Sequence, residues 1–120
     1  MKKATLVLGA SVNTERYSNK AIHKLRANKI EVFAIGGKKG TVLDVEIEND
    51  KVPFKNIDTV TLYLNPRRQK EYYGYILALK PKRVIFNPGT ENSEFIKLLE
   101  DHKIETEIAC TLVLLSINQY

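Results

Sequence analysis

The chain has 120 residues, with 19 Lys and Arg against 14 Asp and Glu, a formal charge of +5, and is 43% hydrophobic and 28% charged. This length favours one domain with one core, in which roughly two-thirds of the unfolded surface can be buried, and the composition is that of an ordinary globular protein. No apolar run approaches the roughly 20 residues of a membrane span, the lone Cys110 excludes an internal disulfide and a cysteine metal cluster, and the apolar stretch in "MKKATLVLGAS" is too short for a signal peptide, so it reads as the first strand of a cytoplasmic protein.

In chain order, residues 4–9 (ATLVLG) read as a buried strand. Residues 18–28 read as a helix, with Ser18 as N-cap and Ala21, Ile22 and Leu25 on one face. Residues 31–35 (EVFAI) are a second strand, and "GGKKG" then breaks the chain. A short strand around Val45 to Ile47 and a loop through "NDKVPFKN" follow. Residues 59–64 (TVTLYL) are rich in β-formers. Asn65-Pro66 starts a helix that runs to about Leu79, because proline suits the first helical position, and Pro81 stops it. Residues 83–87 (RVIFN) are another strand. "PGTENS" leads into a helix with Phe95, Ile96 and Leu99 inward. Residues 105–109 form a last short strand, and "TLVLLSI" is a terminal turn or helix.

Strands alternating with helices imply parallel pairing through right-handed crossovers. The expected architecture is a three-layer, Rossmann-like α/β domain with a mainly parallel five-stranded sheet. Ligands of such sheets bind outside the carboxyl ends of the strands, at the switch in strand order. Those ends are therefore the candidate site. They carry Gly9-Ala10-Ser11, then Gly36-Gly37-Lys38-Lys39, then Tyr63-Leu64-Asn65-Pro66, and finally Asn87-Pro88-Gly89. In both Asn-Pro pairs the asparagine is pushed toward extended geometry, which is expected either to present an amide to the crevice or only to start a turn.

A glycine at position 9 allows close backbone approach; it either keeps clear the space a phosphate needs, which a side chain would occupy, or serves the backbone geometry of the turn alone. The following helix N-terminus offers free N–H groups and partial positive charge. Arg16 and Ser18 bring donors to that helix start, and Lys38 and Lys39 bring charge from the next strand end. The loop "SVNTERYS" is longer than a nicotinamide turn, and the three-glycine fingerprint is incomplete. An extended ligand with several phosphates fits better than a clamped dinucleotide. No Asp or Glu stands at the strand ends. His23 and His102 read as surface residues, Cys110 as a small buried one, and Ser11 lacks a base partner. Its hydroxyl is expected to bond a phosphate or its own turn.

"VLGAS" followed by "RYSNKAIHKL", with "EVFAIGGKKG", "IDTVTLYLNP", "VIFNPGTENSE" and "ACTLVL" in this order, resembles the small CoA-binding domain proteins. These are similar to the nucleotide-binding N-terminal part of the succinyl-CoA synthetase alpha chain. The resemblance covers most of the chain. It implies a Rossmann-like fold that binds CoA, or a related nucleotide-containing ligand, without an established reaction. Carried over, Gly9, Ala10 and Ser11 would line the phosphate turn, with Arg16 and Ser18 at the helix start and Lys38 neutralising a phosphate. Tyr63, Leu64, Asn65 and Pro66 would flank the ligand, opposite Asn87, Pro88 and Gly89. The chain departs from the family in having Leu64 and Ala109 where arginines are usual, Asn87 for glutamine, and "IGGKKG" for a proline-containing turn. Lys38 and Lys39 are expected to compensate for the lost charge.

The leading expectation is a cytoplasmic, non-catalytic CoA-binding module. The rival is a small enzyme or enzyme subunit acting on an acyl-CoA or nucleotide, with a partner chain supplying catalytic residues. Association as a homo-oligomer stays open. Nucleic acid is the weakest partner. The basic residues come in scattered pairs, at 2–3, 38–39 and 67–68, and no aromatic-plus-basic RNA motif is present.

Overall fold

A computed structural model describes residues 4–120, so the basic pair at positions 2–3 lies outside the described residues. The strands expected as the main sheet form where the sequence is apolar on both faces: β1 (Ala4–Ala10) and β2 (Val32–Gly36). The hairpin β3 (Gly40–Val42) and β4 (Val45–Glu48) follows. Beyond it run β5 (Ile57–Leu62), β6 (Arg83–Phe86) and β7 (Glu105–Ile108). They make one seven-stranded sheet in the order β3-β4-β2-β1-β5-β6-β7. Every neighbour pair is parallel except β3–β4. The expected five main strands are thus joined by β3 and by the short β4. The parallel strands follow the doubly wound order, in which succession reverses between β1 and β5.

Side chains alternate across this sheet. Leu6 and Leu8 of β1, Val60 and Leu62 of β5, and Val84 and Phe86 of β6 face one side, where Ile76, Phe95 and Leu99 cover them. Val7, Val32, Ala34 and Ile47 face the other, where Ile22, Leu25 and Leu115 cover them. The first layer holds α3 (Tyr73–Leu79) and α4 (Ser93–Asp101), and the second holds α1 (Tyr17–Ala27) and α5 (Thr111–Ser116). The chain returns from β4 to β5 without a helix. Its loop covers the first face instead, stacking Phe54 on Phe33 with ring centroids 4.6 Å apart and accepting a hydrogen bond from Tyr75 Oη at the Val52 carbonyl.

Helix boundaries show where local chemistry was read well and where it was not. Asn65 caps α2 (Pro66–Gln69), accepting from the Arg68 N–H at 2.9 Å, with Pro66 at the first helical position. The single helix expected to Leu79 is broken by a 3₁₀ turn at Lys70–Tyr72 before α3 begins. Asn92 caps α4 through the Phe95 N–H. Ser18 is not the cap of α1: Arg16 holds that place with extended backbone and no side-chain cap bond, and Ser18 is buried in the first turn. The terminal apolar segment is a helix, capped at half-buried Cys110.

Candidate functional site

At the reversal in strand order the chain leaves β1 and β5 side by side, and their exits shape the site. Gly9 sits in a bulge where the pairing with β2 skips from Leu8 to Ala10. Its φ is +100°, a region that disfavours side chains. A Cβ there would lie 3.1–3.2 Å from Tyr63 backbone C, Tyr63 Cβ and Leu64 Cδ2. Both the backbone angle and the nearby exit of β5 therefore call for glycine here, which favours the backbone-geometry reading of the two. On the other flank, Gly36 brings β2 so near β1 that a Cβ would meet the Ala10 carbonyl oxygen at 2.2 Å.

The loop from Ser11 to Arg16 is organised by its own polar side chains. Ser11 Oγ accepts from the Asn13 N–H at 3.0 Å, and Asn13 Oδ1 accepts from the Glu15 N–H at 2.9 Å. Buried Asn19 donates its amide to the Ser11 carbonyl at 3.0 Å. Ser11 thus bonds its own turn while keeping its hydroxyl proton free to donate. The loop delivers the chain to the start of α1, where the N–H groups of Tyr17 and Ser18 find no acceptor among the described residues. No acidic residue stands in that first turn. The positive end of the helix dipole is left uncompensated.

These parts enclose a cavity of about 450 Å³, within the roughly 300–1,000 Å³ of small-molecule sites. Gly9, Ala10, Ser11, Arg16, Tyr17 and Ser18 line one side. Tyr63, Leu64, Asn65 and Arg68 line another, and Pro88, Gly89, Thr90 and Gly37 complete it. The lining holds two arginines and no Asp, Glu, His, Cys or Lys. Arg16 and Arg68 are both exposed. Among the described residues the ion pairs are Arg26–Asp44 and Arg83–Glu107, so neither cavity arginine is neutralised by a carboxylate. Unpaired guanidinium groups facing a cavity beside free helix N–H groups make it receptive to anions.

Four expected site residues stand apart from the lining. Lys38 and Lys39 are exposed beyond it, and Gly37 of the same turn lines it instead. Pro66 serves the start of α2. Asn87 does not present its amide to the crevice. Its side chain is buried, donates to Thr61 Oγ1 at 2.6 Å and to the Leu62 carbonyl at 2.9 Å, and accepts from the Thr111 N–H at 2.9 Å. It stitches β6 to β5 and to the start of α5. Asn65 lines the cavity while spending its carbonyl oxygen on the helix cap.

Tyr17, Arg68 and Thr90 were not singled out from the sequence. The available signal for Arg68 was the pair "RR" directly after a strand-ending Asn-Pro. Tyr63 turns its ring toward the α5 side of the sheet. Its hydroxyl is buried with no hydrogen-bond partner, beside Thr61 and Thr111, whose own hydroxyls bond each other at 2.8 Å. Burial pushes this phenol up to about 12. His23 and His102 are exposed. Among the described residues no cluster of three His, Cys, Asp or Glu side chains could hold a metal ion, and no helix is long and apolar enough to cross a membrane.

The doubly wound sheet, with an open crevice at its switch point, defines a Rossmann-like α/β protein. The chain belongs to the CoA-binding domain family, whose model matches residues 3–116. It is similar over its full length to a crystal structure of an uncharacterized protein, at 48% identity and a TM-score of 0.97, covering 99% of that chain. It also matches a hypothetical protein from Pyrococcus horikoshii OT3 at 28% identity and a TM-score of 0.80, over 93% of this chain and 80% of that one. A structure of cell-free ID.343 from Thermus thermophilus shares the fold at 20% identity and a TM-score of 0.86, over 99% and 91% of the two chains. No curated protein matches the chain.

Proposed function

We propose that this protein binds CoA through its phosphates in the β1–β5 crevice and carries out no chemistry of its own there. The observation that carries the reading is the pair of unneutralised arginines, Arg16 and Arg68, in a cavity that also receives the start of α1. The family supplies the ligand class. The residues fit that ligand: Arg16, Arg68, the Ser11 hydroxyl and the Tyr17 and Ser18 N–H groups would hold phosphate oxygens. Reactive pairs are missing from the lining, whose serines, threonine and tyrosines have no histidine or carboxylate beside them in the cavity. That favours binding over catalysis.

The test is calorimetry of CoA, dephospho-CoA, ATP and NAD in one buffer, with Arg68→Ala and Lys38→Ala beside the parent. CoA is expected to bind more tightly than NAD. Removing one charge-assisted contact is expected to weaken CoA roughly 10- to 100-fold in Arg68→Ala, with a shallower salt dependence. Lys38, outside the lining, is expected to contribute less. Tighter binding of NAD than CoA would reject the reading, and turnover of an acyl-CoA by the purified chain would reject its non-catalytic part.

A further inference from the structure

Gln69 is the last residue of α2, and its side chain is entirely shielded from solvent. A glutamine carries two donors and an acceptor that must all be met when buried. Here they are. Nε2 donates to the Leu64 carbonyl and to the Thr90 carbonyl, both at 2.8 Å. Oε1 accepts from Asn92 Nδ2 at 2.9 Å. The orientation of the amide is forced, because two backbone carbonyls can only accept and the nitrogen must face them. Asn92 is fixed by the same logic. Its Oδ1 accepts from the Phe95 N–H at 3.1 Å, and its second amide hydrogen goes to Tyr73 Oη at 2.8 Å. Tyr73 Oη in turn donates to Glu94 Oε1 at 3.0 Å.

The two carbonyls belong to neighbouring walls of the cavity, which meet at the Gln69 amide. Leu64 lies on the turn between β5 and α2, and Thr90 on the turn between β6 and α4, and both line the cavity. Asn87 joins the exits of β5 and β6 further back, through Thr61 and the Leu62 carbonyl, and among the described residues Gln69 is the side chain that bonds both lining carbonyls. Its neighbour in sequence is Arg68. We propose that Gln69 is the positioning residue of the crevice: by clamping the Leu64 and Thr90 carbonyls it sets the separation of the walls and the aim of the Arg68 guanidinium. This rests on the reading of the crevice as a CoA site. The physical reason is that a charged side chain on a four-residue helix has little else to orient it, and a site holds its geometry only when the residues behind it are locked. A buried amide that only filled the core would be indifferent to which residue stands at position 68.

The experiment is a double-mutant cycle on CoA affinity, with Gln69→Leu and Arg68→Ala singly and together. Gln69→Leu keeps the bulk and removes both donors. It is expected to weaken CoA at least about tenfold. In the Arg68→Ala background it is expected to cost less than about threefold more, because the side chain it aims is gone. Should Gln69→Leu fail to fold, Asn92→Asp serves the same purpose. Aspartate keeps the cap on α4 but sets a carboxylate oxygen against Gln69 Oε1, which favours turning the amide over and opening the clamp. It too is expected to weaken CoA in an Arg68-dependent way. Folded variants that bind within twofold of the parent, or losses that simply multiply with Arg68→Ala, would overturn the positioning role and leave CoA binding intact. A parent that binds no CoA would overturn the functional reading, and this role with it.

Discussion

Replacing Gly9 by alanine tests whether the crevice depends on the backbone first and on open space second. Two costs are visible. A non-glycine residue held at φ +100° carries strain of order 1–3 kcal/mol. The new Cβ would lie 3.1 Å from the Tyr63 backbone C and 3.2 Å from Leu64 Cδ2, and overpacking of this kind costs typically about 1–3 kcal/mol. Loss of glycine's freedom in the unfolded chain offsets about 0.4–1 kcal/mol. The net expectation is a loss of about 3 kcal/mol. With roughly 2.1 cal/mol/K of unfolding entropy per residue over 120 residues, that is a fall in Tm of about 12 °C. Thermal melts of parent and Gly9→Ala, checked by urea unfolding, make the measurement. A variant melting within about 3 °C of the parent would refute the reasoning, since it would mean that the bulge tolerates a side chain.

Two further outcomes are expected. Tyr63 is raised by burial to about 12 from an ordinary value of 10.0, so the folded state favours the neutral phenol. The stability this confers is complete below pH 10 and is lost as pH rises from about 10 to 12, because the unfolded chain ionises first. The loss amounts to roughly 2–3 kcal/mol. Tyr75 is raised by burial to about 12 as well, so in melts recorded across the range Tyr63→Phe should make the alkaline limb shallower by about that amount without abolishing it, and should be neutral or stabilising at pH 7 because the hydroxyl it removes has no partner; a limb of unchanged depth in the variant would refute the contribution of Tyr63. Asn87→Ala removes three buried hydrogen bonds and should cost roughly 2–4 kcal/mol in urea unfolding. The CoA affinity of its folded form should change less than that of Arg68→Ala, and the reverse order would return Asn87 to the ligand.

The strands were legible because the sheet is buried on both faces, so runs such as Thr5–Leu8 and Val84–Phe86 are apolar or β-branched without interruption. The start of α2 was legible because Asn65 and Pro66 act locally, through a cap and a fixed φ. Other features depend on distant partners that a linear pattern does not contain. Ser18 has the right chemistry for a cap, but the chain entering α1 is held one turn earlier by Asn19 on the Ser11 carbonyl, which places Ser18 inside the helix. β3 is three residues long and begins at a glycine, and its pairing with β4 gives it its only strand character. Asn87 and Asn65 look alike in sequence, each before a proline, yet one is consumed by Thr61 and Thr111 across the sheet while the other caps its own helix. Gln69 gave no signal, because a buried amide is defined by the two carbonyls that meet it.

The missing family arginines show why charge is better sought in the folded crevice than at matched positions. Leu64 stands where the resemblance leads to the expectation of an arginine, and the structure gives this position a packing duty. The side chain is 9% exposed, lies among the residues under α3, and would touch a Cβ at Gly9. An arginine would have to leave that contact to reach solvent. One turn later, Arg68 emerges from α2 into the same cavity without a carboxylate partner. Ala109, the second departure, lies outside the lining altogether, its N–H bonded to the Phe86 carbonyl at 3.2 Å. Lys38 and Lys39, which looked like the compensation, stand outside the lining as well. What an anion responds to is potential and donors at its own oxygens, not the residue number from which they come. The positive charge belonging to this cavity is therefore Arg16 and Arg68, and the exposed lysines add a weaker field that salt screens over about 8–10 Å.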